Sequence, residues 1–188
     1  MPSIEFGPIV AQDVIVDLGD ETTDGPTSIL GLDVLAGHRL DVLTARGQCT
    51  VDAEQAIDGG RTLVLSSHNH PHMIVEWPTA SAVAIYDTGA SVTIVDTDFA
   101  QNHPSLFVPH RNSTGTDANG NQSATAMVIM QSCRIGEREF SPSLAAIAPI
   151  AGIQPAGDPP FDLILGYPII SQAGWAVDFG TGTWGFLR

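Results

Sequence analysis

The sequence predicts an all-β fold for this chain of 188 residues. Short runs rich in β-branched and aromatic residues are separated by Gly, Pro, Asn and Asp, and no long segment keeps the apolar period of a helix. A hydrophobic fraction of 43% with 15% charged residues is enough to form a core without disulfide bonds. No apolar run reaches the roughly 18 residues that a membrane-spanning helix needs.

Seven strands and three short helices are predicted along the chain. The strands are expected at 13–17, 61–66, 73–77, 82–86, 91–95, 124–130 and 175–179. The helices are expected at 33–37, 97–101 and 168–172. The first and last helices each follow an apolar-apolar-Gly step, Ile29-Leu30-Gly31 and Ile164-Leu165-Gly166.

These two steps belong to an internal repeat. They match at an offset of 135 residues, from Gly31 to Gly166, and Glu5-Phe6 matches Glu139-Phe140 at an offset of 134. Residues 1–53 copy only the back part of the later unit, because AIYDTGAS in its front part has no counterpart upstream. We therefore predict a partial unit with a connector at 1–60 and a complete unit at 61–188.

Charge argues against one class of partner. The net charge of −14 arises from 21 acidic residues against 7 arginines, and lysine is absent. Such a surface repels phosphate backbones, so we expect no nucleic-acid partner.

Cysteine content and the N-terminal residues bear on the compartment. Cys49 and Cys133 are too few and too far apart for a disulfide framework and are expected as buried thiols. MPSIEFGPIV lacks the basic and apolar regions of a signal peptide. Should an export signal precede this sequence, we expect a periplasmic or secreted protein.

The most informative stretch is AIYDTGASVTIVD, residues 84–96. An apolar strand ends there on Asp87 and turns at once through Thr88 and Gly89. An ionised carboxylate at the end of a buried strand is costly unless a group hydrogen-bonds it or shares its charge. Asp87 is therefore either a structural cap or a working acid.

Three motifs together resemble the pepsin and retropepsin class of aspartic proteases. They are Asp87-Thr88-Gly89-Ala90-Ser91 after a strand, the hairpin signal Asn119-Gly120, and Ile164-Leu165-Gly166 before a short helix. The resemblance covers about 72–188 as a complete lobe and 1–53 as the back half of a preceding lobe. It implies a pepsin/retropepsin-like acid protease β-barrel lobe with a partial second lobe at the N-terminus.

The resemblance implies an aspartic endopeptidase with a polypeptide substrate and neither cofactor nor metal. Asp87 would be one of two carboxylates that share a proton and activate a water. Thr88 would hydrogen-bond to hold the loop against its partner, and Gly89 would let the backbone pass close to the carboxylate. Ser91 would hydrogen-bond the carboxylate from outside, and residues 164–166 would support the loop from below.

This chemistry needs a second aspartate, yet no other Asp in the chain begins an Asp-Thr-Gly or Asp-Ser-Gly motif. Three explanations remain open. A missing upstream lobe supplies the second Asp, a homodimer brings two copies of Asp87 together, or the chain is a catalytically inactive binding or dimerisation module. The half-complete repeat favours the upstream lobe.

Other features have both functional and structural interpretations. Residues 113–130 form either a hairpin that covers the substrate or an exposed hairpin without a role. His68, His70 and His72 would share one face of a strand and could bind a metal there, but without a nearby carboxylate or Cys ligand a polar connector is favoured, with Pro71 interrupting regular strand pairing. Asp178 is expected as a turn acid, and Trp77, Trp175 and Trp184 are expected in the core.

Overall fold

The chain folds into β-sheets. A computed structural model describes residues 3–14, 30–54, 56–116, 122–154 and 157–188, which contain seventeen strands and three short α-helices. The all-β prediction is confirmed. The strands are β1 Ser3–Phe6, β2 Ile9–Gln12, β3 Arg39–Leu43, β4 Gln48–Val51, β5 Ile57–Thr62, β6 Val64–Leu65, β7 Pro71–Trp77, β8 Ala80–Tyr86, β9 Thr93–Asp96, β10 Phe107–Thr116, β11 Gln122–Met130, β12 Cys133–Ile135, β13 Arg138–Phe140, β14 Ser143–Ala148, β15 Leu163–Leu165, β16 Trp175–Asp178 and β17 Thr183–Leu187. The helices are α1 Leu32–Leu35, α2 Thr97–Asn102 and α3 Tyr167–Ile170.

Most predicted elements are present, with shifted ends. Predicted strands 73–77, 82–86 and 124–130 lie within β7, β8 and β11, and the three helices start within one residue of their predicted starts. The strand predicted at 61–66 is divided between β5 and β6, and the one at 91–95 begins two residues later, at β9. The strand predicted at 13–17 is wrong at its start, because Asp13 has a φ of +56° and β2 has already ended. Residues 15–17 lie outside the described ranges.

Two sheets enclose the main core. The larger has the order β10-β11-β14-β9-β15-β8-β7-β12-β13, with β6 paired to β7, and the smaller has the order β4-β3-β16-β17-β5. Strand β1 pairs only with β2. Trp77 from the larger sheet and Trp175 and Trp184 from the smaller one are all buried in this core. The prediction that these three tryptophans are core residues is confirmed.

The opposite face of the larger sheet carries a second, smaller apolar cluster. Side chains alternate along a strand, so Ala84 and Tyr86 face the main core while Ile85 faces the other way. Ile85, Ile150, Phe161 and Ile164 form this cluster. Continuing the alternation, Asp87 lies on the same side of the sheet as Ile85.

The pairing of β3 with β16 has a local two-fold relation. Strand β3 pairs antiparallel with β16, so that Leu40 is opposite Val177 and Arg39 is opposite Asp178. The hairpin β3–β4 closes at the pair Leu43–Gln48 and the hairpin β16–β17 at the pair Asp178–Thr183, an offset of 135 that also separates Gly31 from Gly166. At this offset, exchanging the two hairpins converts the pair Leu40 and Val177 into Trp175 and Val42, which is also a pair in the structure. The two hairpins are therefore related about the Asp41–Ala176 pair.

Candidate active site

The Asp87 loop leaves the end of β8 at the centre of the larger sheet. Asp87 is half-buried, and Thr88 and Gly89 are exposed. The Gly89 amide donates a 2.8 Å hydrogen bond to Asp87 Oδ1. A Cβ at residue 89 would lie 3.2 Å from this oxygen, closer than most contacts of real Cβ atoms. Glycine at this position therefore lets the backbone amide approach the carboxylate.

The Ile164-Leu165-Gly166 step lies directly beneath this loop. The Asp87 amide donates to Leu165 O at 3.1 Å, and the Tyr167 amide donates to Ala90 O at 2.9 Å. A Cβ on Gly166 would lie 2.4 Å from Val92 O and 2.8 Å from Ala90 O, so no other residue fits without movement of the backbone. The step supports the loop through backbone hydrogen bonds as well as apolar packing.

A buried threonine links the step to β9. Thr93 is fully buried, and its Oγ1 accepts a 3.2 Å hydrogen bond from the Gly166 amide. We expect Thr93→Val to lower the free energy of unfolding by about 1–3 kcal/mol, because the Gly166 N–H then stays buried without an acceptor. Urea unfolding measures this loss. Thr93→Ser keeps the hydroxyl and should cost less; an equal or larger loss in Thr93→Ser would show that the methyl group, not the hydrogen bond, matters.

The smaller apolar cluster lies beside Asp87 on the same face of the sheet. Ile85 and Ile164, neighbours in the paired strands β8 and β15, form its floor together with the partly buried Ile94. Ile150 and Phe161, from the segment between β14 and β15, cover this floor and are 1% and 3% exposed. The cluster is thereby shielded from solvent on the face of the sheet that carries Asp87.

Two aspartates attach both ends of the covering segment to the sheet. Asp96 accepts hydrogen bonds from the Asp98 and Phe99 amides as the N-cap of α2, and its other oxygen accepts one from the Ile150 amide at 2.9 Å. Asp162 Oδ2 accepts a 3.0 Å hydrogen bond from the Val83 amide. The N-cap of α2 could have been found from Asp-Thr-Asp before a short helix. The contacts with Ile150 and Val83 have no signal in the sequence, because they join residues far apart along the chain.

The three histidines do not lie together on one strand face. Only His72 belongs to β7, while His68 and His70 lie in the turn between β6 and β7. Pro71 nevertheless starts β7 and pairs with Leu65, so the expectation that it interrupts pairing is wrong. Across the described ranges, no group of three or more His, Cys, Asp or Glu residues could hold a metal ion.

The turn of His68 is tied to the covering segment by Asp158. Asp158 accepts a 2.8 Å hydrogen bond from the Ser67 amide and lies 3.5 Å from His68 Nδ1. Hydrogen bonds from Ser67, followed by His68, lower the pKa of Asp158 below its ordinary value. The carboxylate is therefore ionised at neutral pH and holds the turn.

The structure places the other predicted residues as follows. In the described part of the chain, neither Ser91 nor a second carboxylate is hydrogen-bonded to Asp87, and the Thr88 hydroxyl has no hydrogen bond. Asp178 ends β16 and accepts a hydrogen bond from the Thr181 amide, so it is the turn acid predicted. The catalytic roles of Asp87, Thr88 and Gly89 stay predictions.

The hairpin predicted at 113–130 is formed by β10 and β11. These strands pair antiparallel as far as Thr116 and Gln122, with an irregularity between Pro109 and Arg111. The signal Asn119-Gly120 lies outside the described residues. That this hairpin covers the substrate stays a prediction.

Both cysteines are free thiols. Cys133 is buried as predicted, and burial raises its pKa to about 12. Cys49 is exposed, so the prediction of a buried thiol is wrong there; its strand β4 is an edge of the smaller sheet. A catalytic thiolate needs a lowered pKa, so Cys133 does not fit that role.

Comparisons with known proteins found a similar family model and similar solved structures. The sequence model of the family described as "Aspartyl protease" matches residues 79–169, from just before β8 into α3. The structure is similar to the crystal structure of a retropepsin-like aspartic protease from Rickettsia conorii, with a TM-score of 0.41 and 16% identity, over 64% of this chain and 85% of that one. Among curated proteins no significant match was found. No helix in the described ranges has the length and hydrophobicity to cross a membrane. The residues 79–169 that match the aspartyl protease model contain the Asp87 loop and the 164–166 step.

Proposed function

We propose that this chain is the Asp87-bearing part of an aspartic endopeptidase that hydrolyses peptide bonds of a polypeptide substrate. The observation that carries the proposal is the position of Asp87. The Asp87 backbone amide donates to the Leu165 carbonyl at the end of β8, and the Asp87 carboxylate accepts from the Gly89 amide, beside the apolar floor of Ile85 and Ile164. The family match of residues 79–169 supports it.

The chemistry follows from two carboxyl groups of which one is ionised. The ionised carboxylate takes a proton from water, whose oxygen attacks the peptide carbonyl carbon, while the protonated carboxyl group donates to the carbonyl oxygen. Proton transfer to the leaving nitrogen then breaks the C–N bond. In this scheme the Gly89 amide orients the Asp87 carboxylate. The apolar surroundings of the carboxylate have a low dielectric constant, which strengthens the interactions between the carboxylate and the substrate.

The second carboxylate is proposed to come from a unit whose back half is residues 30–51. Helix α1 follows Gly31 as α3 follows Gly166, and the β3–β4 hairpin pairs with β16 in the two-fold register. Strand β16 has β17 on one side and β3 on the other. Two copies of this chain therefore cannot pair with each other through β16. A front half carrying its own Asp loop, packed on residues 30–51, would place a second carboxylate across the two-fold axis from Asp87.

The hairpin β10–β11 is proposed to cover the bound peptide. Its strands extend from the same sheet as Asp87, through β14, β9 and β15, and their pairing continues at least to Thr116 and Gln122. A hairpin in this position would exclude water from the reacting carbonyl.

One observation favours a different function, an inactive binding module. Thr88 is exposed, and in the described ranges no second carboxylate is hydrogen-bonded to Asp87. Such a module would bind peptides on the same surface without cleaving them.

The test is cleavage of an unfolded protein substrate from acidic to neutral pH, with and without pepstatin, with the mass measured by light scattering on the same sample. We expect the 188-residue chain to be a monomer, and pepstatin-sensitive cleavage to require the second lobe in addition to it. Pepstatin-sensitive cleavage by a dimer of this chain would overturn the proposed origin of the second carboxylate. Peptide binding without cleavage in every preparation would support the binding module.

A further inference from the structure

His72 is a buried polar side chain in the wall of the apolar floor. It is 6% exposed in β7, opposite Val64 of β6 on one side and Ile85 of β8 on the other. Its ring lies 6.3 Å from the ring of Phe161, at an angle of 49°. His72 is therefore a buried polar group against the apolar floor beside Asp87, with Asp158 and His70 close enough to act on its charge.

His72 is also a close neighbour of the Asp87 position. His72 and Ile85 are directly opposite each other, and Asp87 lies two residues further along on the same face. Diagonal neighbours of this kind have Cα atoms roughly 7–8 Å apart, within reach of long or aromatic side chains. A substrate side chain seated on the floor next to Asp87 would lie against the imidazole.

Among the described residues, none hydrogen-bonds the Nε2 atom of His72, although this atom is buried. A buried polar atom without a partner costs about 1–3 kcal/mol, so such atoms call for an explanation. Burial lowers the pKa of His72, so the imidazole is neutral at neutral pH and either donates or accepts through Nε2, depending on its tautomer. A neutral hydroxyl group satisfies either form.

We propose that His72 is a specificity-determining residue that selects a tyrosine side chain of the substrate next to the scissile bond, through a hydrogen bond between its Nε2 and the phenol hydroxyl. The ring of the tyrosine lies on Ile85 and Ile164, where the chain's own Phe161 ring now lies. This inference rests on the proposed function, because it concerns the same site.

Phe161 shows that an aromatic ring fits this position, and the proposal requires that this ring leave it when substrate enters. The backbone next to it is held, because the Asp162 amide donates to Val83 O at 2.7 Å and Asp162 O accepts from the Asp96 amide at 2.8 Å. The ring can therefore leave by rotation of its side chain, without loss of these hydrogen bonds. Phenylalanine in the substrate would fill the same space but leave Nε2 unpaired.

The test compares N-acetyl-tyrosinamide with N-acetyl-phenylalaninamide on the whole chain carrying Asp87→Asn, so that binding is measured independently of cleavage. NMR of ¹⁵N-histidine-labelled protein reports the His72 Nε2 resonance during each titration. We expect tyrosinamide to bind about two- to tenfold more tightly, the range that one net hydrogen bond supplies, and to shift this resonance. Phenylalaninamide should leave the resonance nearly unchanged.

His72→Leu, which replaces the imidazole with an apolar group, should abolish the tyrosine preference, and His72→Gln should restore part of it. His103→Leu is the matched control. His103 contacts Phe99 at the end of α2, so the His103→Leu protein should keep the tyrosine preference.

Equal binding of both amides, binding of neither, or an unshifted Nε2 resonance would overturn the proposal. In an active endopeptidase, kcat/KM for tyrosine peptides divided by kcat/KM for phenylalanine peptides should follow the same order. This ratio should fall in His72→Leu, recover in part in His72→Gln and stay unchanged in His103→Leu. A preference for N-acetyl-tyrosinamide without cleavage in any preparation, including one that contains the second lobe, would refute the endopeptidase and leave the selectivity standing.

Discussion

Asp87→Asn is expected to reduce kcat/KM for peptide cleavage by about 10³-fold or more in whatever assembly is active. Asparagine has nearly the same volume, so the loop can keep its shape, and its side-chain oxygen can still accept from the Gly89 amide. What disappears is the group that takes a proton from water. The melting temperature should therefore stay within a few degrees of the wild-type value, which circular dichroism measures alongside the kinetics.

Asp98→Asn is the matched control for this experiment. Asp98 is exposed in the first turn of α2, eleven residues after Asp87, and its replacement removes the same charge. Its kcat/KM should stay within about twofold of wild type, the level of an exposed substitution away from the chemistry. Activity that survives in Asp87→Asn would remove this residue from the mechanism and with it the proposed function.

Gly166→Ala is expected to produce a large loss of stability from a single methyl group. The added Cβ would meet Val92 O at 2.4 Å and Ala90 O at 2.8 Å, which are backbone atoms of the Asp87 loop and its exit. Relief requires the loop to move away from the 164–166 step, with the loss of backbone hydrogen bonds between them. We expect a loss of about 3 kcal/mol in the free energy of unfolding, or roughly 6–12 °C in melting temperature.

Gly60→Ala is the control, because a Cβ on Gly60 has no atom within 4 Å. It should change the free energy of unfolding by less than about 0.5 kcal/mol. The comparison separates the general effect of adding a methyl group from the steric conflict at the loop. A Gly166→Ala protein as stable as Gly60→Ala would mean that the loop does not rest against this glycine. In that case residues other than Gly166 hold the Asp87 loop in place.

The features that sequence could predict are those with short-range causes. The turn after Asp87 needs Gly89 for close approach of its own amide, and α3 begins where Gly166 and Pro168 permit it. Strands β7 and β8 are short, mainly apolar runs separated by Pro78-Thr79, so their positions follow from the pattern of side chains. Strands β15 and β10 were not predicted, because one has only three residues and the other is largely polar.

Sequence by itself determined the all-β class, the position of the Asp87 loop and the repeat that relates Gly31 to Gly166, because each depends on residues close together in the chain or on direct similarity. Only the tertiary structure decided that β3 pairs with β16, that Phe161 covers Ile85, and that His72 is buried beside Asp87 while His68 and His70 are not. These contacts join residues from about 13 to 140 positions apart. Their formation depends on how whole strands pack to bury apolar surface, which no local pattern encodes.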